Sequence, residues 1–260
     1  MMFDLTNKTI LIAGGAGYLG SQLCEAILLH NGNVCIADID FEKTNSLKRL
    51  LSKKFPKSNI FSTNLDIKNE NSIIECVNKT HKHFNNINGL VNATYGATGK
   101  VLEELTANEF NDANEINLTG SFLLSRHTID KMKDGGSVIM FASMYGIVSP
   151  KPNLYPEGIN PNPIEYGAGK AGLIQLTKYL ASHYGPNNVR VNAIAPGPFP
   201  DIKKNDNYNQ EFLDNLKDST MLKRLGESQE IAGPIIFLLS EASSYITGQV
   251  LKVDGGWTAW

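Results

Sequence analysis

The apolar positions of the chain follow two patterns that alternate from one end to the other. Short runs enriched in β-branched residues, Thr9 to Ala13, Asn33 to Ala37, Asn59 to Thr63, Gly89 to Asn92, Ser137 to Ala142, Val189 to Ala195 and Gln249 to Val253, read as seven strands. Between them Leu19 to Asn31, Lys43 to Phe55, Ser72 to Phe84, Ala107 to Met132, Glu165 to Tyr184 and Gln229 to Leu239 carry apolar residues at helical spacing. Strict alternation of strand and helix predicts an α/β fold, a doubly wound parallel sheet of seven strands with helices on both faces.

Two stretches break the alternation. Ser149 to Pro163 holds five prolines, and Gly197 to Leu225 is polar and irregular apart from a short helical pattern near Glu211 to Leu216. Each follows a strand. Loops beyond the carboxyl ends of strands form the ligand crevice of an open parallel sheet, so residues 143–165 and 197–225 are expected to be substrate loops of one domain spanning 1–260.

Charge and composition narrow the choice of partner. The 24 basic and 26 acidic side chains nearly cancel, and no basic run offers an electrostatic footprint for nucleic acid. The start, Met1 to Asn7, has an acid and no basic cluster, and the following apolar run breaks at Gly14-Gly15. That is not a secretory signal, and no apolar stretch is long enough to cross a bilayer. A cytoplasmic protein with a small-molecule substrate, no nucleic acid and no membrane partner is expected. Cys24, Cys35 and Cys76 lie in apolar segments without CxxC spacing and read as reduced core thiols. His81-Lys82-His83 falls at the polar end of a helix, so no metal site is expected, and the sequons at Asn92 and Asn117 carry no weight in an unsecreted chain.

Chemistry is concentrated in two places. The first strand runs into Gly14-Gly15-Ala16-Gly17-Tyr18-Leu19-Gly20 and then a helix, the setting in which a glycine loop brings backbone close to a pyrophosphate at a helix N-terminus. Asp38 closes the second strand 18 positions after Gly20, where a carboxylate reaches ribose hydroxyls. Further on, Tyr166 and Lys170 stand four apart on one helix face. A free tyrosine has a pKa of about 10, and a neighbouring ammonium favours its anion, so this pairing suits acid/base work.

These landmarks and their order resemble the single-domain branch of the short-chain dehydrogenase/reductase family over the whole chain. The likeness extends through Leu65-Asp66-Ile67, Leu90-Val91-Asn92-Ala93, Ile116-Asn117-Leu118-Thr119-Gly120, Phe141-Ala142-Ser143, Tyr166 to Gly172, Val191 to Gly197 and Tyr245 to Gly256. It implies a Rossmann fold in which Tyr166 exchanges the proton, Ser143 hydrogen-bonds the reacting oxygen, Lys170 lowers the Tyr166 pKa and holds the nicotinamide ribose, and Asn117 helps hold a relay water. Carried over in the same way, Gly14, Gly17, Tyr18, Leu19, Gly20, Asp38, Asp66, Ile67, Asn92, Pro196 and Gly197 would contact the cofactor together with Tyr166 and Lys170. The expected cofactor is NAD(H), with NADP(H) possible, and the expected assembly is a homo-oligomer, tetramer or dimer, built on the helices containing Ala107 to Met132 and Glu165 to Tyr184.

The chain departs from that pattern at Tyr18, where the branch usually has Gly, at Asn92-Ala93-Thr94-Tyr95, and at Pro200-Asp201, where a Thr is common. The segment between Ser143 and Tyr166 is also roughly ten residues longer than usual, which marks a functional loop. It is expected to be a stiff flap presenting Asn153, Tyr155, Glu157 and Asn162 to a hydroxyl-rich substrate. Its wording is similar to bacterial sugar and polyol dehydrogenases and to the flagellin modification protein A group. The implied activity is hydride transfer on a sugar or sugar derivative in surface-glycan biosynthesis. A 3-oxoacyl carrier protein reductase is the nearest alternative. A non-catalytic NAD(H)-sensing protein is another, although the complete Ser, Tyr, Lys and Asn set speaks against it. The glycine loop alone hints at nucleotide-sugar epimerisation, but the chain lacks the length for a separate substrate region.

Overall fold

A computed structural model describes residues 2–202 and 208–260. The seven strands are found as β1 (Thr9–Ala13), β2 (Asn33–Asp38), β3 (Ile60–Asn64), β4 (Gly89–Asn92), β5 (Gly136–Phe141), β6 (Val189–Pro196) and β7 (Val250–Val253). Every pairing is parallel, and the order across the sheet is β3-β2-β1-β4-β5-β6-β7. Parallel neighbours need a crossover, which the helices supply: α1 (Tyr18–Leu29), α2 (Phe41–Lys54), α3 (Glu70–Phe84), α4 (Ala107–Asn114), α5 (Ser121–Ile129), α6 (Ile164–Tyr184), α7 (Gln210–Asp218) and α8 (Ala232–Leu239).

The pleat sorts each apolar run onto two faces. Leu11, Cys35, Val138 and Met140 join one core with Ile73 of α3, Leu124 of α5 and Leu173 of α6. Their alternates Ile10, Ile12, Ile36 and Ile139 join a second core with Leu23 and Ile27 of α1 and Ile235 of α8. That both sets are buried explains why the strands lack polar alternation. Cys24, Cys35 and Cys76 are free and buried.

Side-chain caps explain where several helices begin. Asp40 accepts from Lys43 N at the start of α2, Asn69 from Ser72 N at α3, and Thr106 forms a capping box with Glu109 at α4. α2 and α3 thus start two residues before the apolar periodicity does. By contrast α1 and α6 begin at Gly17 and Pro163 with no side-chain cap.

The single helix expected over Ala107 to Met132 is broken by a wider i→i+5 turn at Glu115–Gly120. Two contacts account for it. Asn117 bonds the backbone of Gly96 through both amide atoms, and at Gly120 a Cβ would collide with the Ile67 carbonyl oxygen. Such turns interrupt helices mostly where they serve a site.

The proline-rich insert leaves the carboxyl end of β5 and packs inward. Its Leu154 is buried with Met144, Phe212, Leu216 and Trp257 in a third apolar cluster, and Asn215 of α7 donates to the Leu154 carbonyl at 3.2 Å. Insert and α7 therefore form one body. Five residues of the second irregular loop, 203–207, lie outside the described residues.

The glycine loop yields a stability prediction. A Cβ at Gly20 would collide with the Gly14 carbonyl, backbone against backbone, whereas one at Gly233 meets nothing within 4 Å. Gly20→Ala should cost about 2 kcal/mol or more in urea denaturation, in the range for overpacking, while Gly233→Ala in α8 should gain roughly 0.5–1 kcal/mol from helix propensity. Equal midpoints for the two variants would contradict this packing.

Candidate active site

The strand order reverses between β1 and β4, whose carboxyl ends lie side by side with Ala13 paired to Asn92. The glycine loop leaves β1 at this switch point. Gly14 takes φ +73° with its α-carbon facing the Ala93 carbonyl, where a Cβ would stand 2.9 Å from the oxygen. No other residue type gives both the left-handed backbone and that approach. Beyond it Gly17, whose N–H donates to the Gly14 carbonyl at 3.1 Å, leads into Tyr18, Leu19 and Gly20, the first turn of α1, which has no side-chain cap and presents the positive end of the helix dipole.

The other cofactor-side residues expected from the sequence lie at the carboxyl ends of β2, β3, β4 and β6. Asp38, half-buried at the end of β2, accepts from Ala16 N at 3.1 Å and Asp40 N at 3.2 Å, so its carboxylate is held against the glycine turn. Leu65 N donates to the Asp38 carbonyl, which sets Asp66 and Ile67 beside it. Asn92 is buried, donating to Ser121 Oγ at 2.8 Å and accepting from Thr94 Oγ1 at 2.7 Å. Pro196 ends β6 and Gly197 N donates to the Val253 carbonyl.

The second group gathers where β5 ends against α6. Ser143 follows the strand in extended backbone and accepts from Tyr145 N at 3.1 Å. The next turn lies directly on the helix, because a Cβ at Gly146 would stand 2.7 Å from the Lys170 carbonyl carbon. Ser143 is thereby brought close enough to the Tyr166 phenol to lower its pKa. Lys170 is 1 % exposed, and its Nζ donates to the Phe141 carbonyl at 2.7 Å, lies 3.4 Å from the Thr94 carbonyl oxygen and is 5.5 Å from the centre of the Tyr166 ring. Asn117 is wholly buried in the wide turn nearby, both amide atoms on Gly96.

Burial sets the electrostatics. It pushes the Tyr166 phenol above its ordinary value, an effect the Ser143 hydroxyl offsets in part. The same burial pulls Lys170 from 10.5 down to about 7. Desolvation thus favours the neutral form of both groups, and a positive charge brought against them would shift the phenol back towards its anion.

Of the flap residues, Tyr155 approaches the site. Its hydroxyl lies 2.7 Å from that of Tyr145. Asn153 and Glu157 are exposed. The aromatic ring of Tyr155 packs on Phe212 and that of Tyr145 meets the edge of Trp257. The flap therefore turns an aromatic, not an amide-rich, side inward. Sequence reasoning missed Tyr145, although it stands two residues after Ser143. It also missed Glu165, the charged neighbour of Tyr166, which is fully buried. Among the described residues no group of three or more His, Cys, Asp or Glu side chains converges as a metal site would, and no helix is long and apolar enough to cross a membrane.

A family model described as enoyl-(acyl carrier protein) reductase matches residues 15–258. The chain is 34 % identical over 258 residues to 7alpha-hydroxysteroid dehydrogenase of Bacteroides fragilis, covering 97 % of this chain and 95 % of that protein. The chain belongs to the short-chain dehydrogenase/reductase family. It is also 31 % identical over 259 residues to post-translational flagellin modification protein A of Campylobacter coli, covering 97 % and 99 % of the two chains. The solved structure of levodione reductase superposes with a TM-score of 0.87 at 29 % identity, covering 98 % of this chain and 99 % of that one. As a member of this family the protein is an oxidoreductase of alcohol and carbonyl groups, of a kind that generally uses a nicotinamide cofactor.

The buried lysine gives the fold a pH dependence. Because the folded pKa of about 7 lies below the unfolded value of 10.5, the unfolded chain binds more protons between them, and stability rises with pH across that window. Below about pH 7 the cost of burying the charge is fully present. Urea unfolding without added ligands should therefore show stability rising between pH 7 and 8.5 by up to about 1.4 kcal/mol per unit. In Lys170→Met that rise should be lost, leaving only the fall towards higher pH that burial of the Cys24, Cys35 and Cys76 thiols imposes, and an unchanged slope would show that another group carries it.

Proposed function

We propose that this protein is an NAD(H)-dependent oxidoreductase acting on a carbonyl/alcohol pair of a sugar or sugar derivative, in bacterial surface-glycan biosynthesis. The observation that carries the chemistry is the gathering of Ser143 and Tyr166 over a fully buried Lys170, whose Nζ lies 5.5 Å from the Tyr166 ring centre. The bound nicotinamide would supply or accept the hydride. Tyr166 gives its proton to the carbonyl oxygen in reduction and takes it back in oxidation, while Ser143 stabilises the charge developing on that oxygen. Lys170 has donors beyond the one spent on Phe141 to hold the nicotinamide ribose. The turn at Asn117 would help hold a water that returns the proton to solvent.

The cradle suits a dinucleotide. Gly14 and Gly20 pack backbone on backbone, the uncapped first turn at Gly17, Tyr18 and Leu19 can receive a pyrophosphate, and a Cβ at Gly17 would meet only the Gly14 carbonyl. Asp38 would accept hydrogen bonds from ribose hydroxyls and repel a 2′-phosphate, which favours NAD(H) over NADP(H). Asp66, Ile67, Asn92, Pro196 and Gly197 complete the cofactor side.

The sugar reading is supported by likeness to flagellin modification protein A and by the paired hydroxyls of Tyr145 and Tyr155 close to Tyr166. A second reading, an alicyclic ring alcohol or ketone, is favoured by the apolar cluster of Met144, Leu154, Phe212 and Trp257 behind those phenols. The chain would act as a single cytoplasmic domain, and assembly as a homo-oligomer, dimer or tetramer, accords with exposed Phe122 on α5 and Tyr179 on α6.

Steady-state rates with sugars, polyols and alicyclic ketones, together with NADH fluorescence titration, test this reading. With the true substrate, kcat/KM should favour NADH over NADPH at least about tenfold. Tyr166→Phe should lose at least about 100-fold in kcat while binding NADH within about twofold of the parent, as expected when a positioned acid/base group is removed. A Phe variant keeping more than about a tenth of the activity would overturn the role of Tyr166.

A further inference from the structure

The residue before Tyr166 is a carboxylic acid with no access to water. Glu165 lies in the first turn of α6, whose N-terminus has no side-chain cap, and is 0 % exposed. Its Oε1 accepts from both Thr98 N and Thr98 Oγ1, each at 2.8 Å. Its Oε2 is buried without a partner. An unmade hydrogen bond inside a protein is a cost, and a methionine at this position would fill similar space without it. Glu165 is thus a poor choice as mere filling.

What it holds is the loop that leaves β4, and it does not hold it alone. Lys170 Nζ lies 3.4 Å from the Thr94 carbonyl oxygen, Asn117 bonds Gly96 N at 3.0 Å and Gly96 O at 2.8 Å, and Glu165 takes Thr98. Three side chains from α6 and the wide turn grip alternate residues of one extended loop. The residues between them face outward: Tyr95 is 70 % exposed, and its phenol is near enough to Tyr166 for the two to interact electrostatically.

We propose that Glu165 is a positioning residue that fastens the loop after β4 to the first turn of α6, and so fixes Tyr166 relative to Tyr95 on the substrate side of the site. The proposal rests on reading Tyr166 as the proton donor. Glu165 touches no reacting atom. It acts through geometry, and small displacements of a catalytic group are enough to cost one to two orders of magnitude in rate.

The test compares Glu165→Met, Glu165→Gln and Tyr166→Phe in the full-length protein, measuring kcat, KM, NADH affinity and thermal midpoint. Glu165→Met should hold its fold, bind NADH within about twofold, and lose about tenfold or more in kcat. Glu165→Gln keeps an oxygen for Thr98 and should recover to within about threefold of the parent. Should the Met variant fail to fold, Thr98→Val removes the hydroxyl half of the clamp with Glu165 intact and should lower kcat about threefold at unchanged NADH affinity. A Met variant with parental kcat, or one whose rate falls only with its folded fraction, would overturn the proposal. If instead Tyr166→Phe remained active, the reading of the site would fail first and independently of Glu165.

Discussion

Lys170 donates a hydrogen bond to the backbone carbonyl at which β5 ends, and the arrangement of the site follows from where that lysine is buried. A nearly water-free ammonium is expensive, as its depressed pKa records. It is tolerated because it arrives on the rigid helix α6 with its nitrogen on the Phe141 carbonyl and near that of Thr94. The two backbone segments it meets follow adjacent strands, β5 and β4, on one side of the topological switch. A side chain that brings both of them to one helix also fixes the distance between the Ser143 turn and the glycine loop, since Gly14 packs on Ala93.

The loop after β4 is accordingly the hinge between two chemistries. On one side Gly14, Asp38 and the first turn of α1 form a cradle of backbone donors and one carboxylate. On the other stand Ser143, Tyr166 and the phenols of Tyr145 and Tyr155, with buried Trp257 packed behind them, the group that the proposed function turns towards the carbonyl or alcohol. Among the described residues neither half is held by surface ion pairs, which contribute little. Both are held by close backbone approach at glycine and by buried hydrogen bonds, where a displaced atom costs most.

Much of this was readable in the sequence, for a physical reason. A strand buried on both faces must be apolar throughout, and each parallel crossover needs a helix, so the alternation of runs along the chain is nearly the architecture itself. The glycine loop, Asp38 and the Tyr166 to Lys170 spacing were readable because each is local. The wide turn at Glu115–Gly120 was not, since apolar periodicity runs through it and its causes, Gly96 and Ile67, are remote in sequence. The inward side of the flap was hidden too, because Leu154 and Tyr155 turn in to meet Phe212, which belongs to another loop. Nor does the sequence mark Glu165, because its partner Thr98 lies 67 residues away.

The central claim is that these residues assemble a site for hydride transfer at a carbonyl carbon, and the most direct test follows the hydride itself. The purified protein would be incubated with NADH deuterated at C4 of the nicotinamide and a panel of keto sugars and alicyclic ketones, and the products examined by mass spectrometry and proton NMR. Deuterium on the carbinol carbon of one product, with a hydroxyl proton drawn from solvent, is the result expected. Tight binding of the dinucleotide without deuterium transfer to any ketone of the panel, or to any acyl thioester added to it, would contradict the account and leave a nucleotide-binding protein in its place.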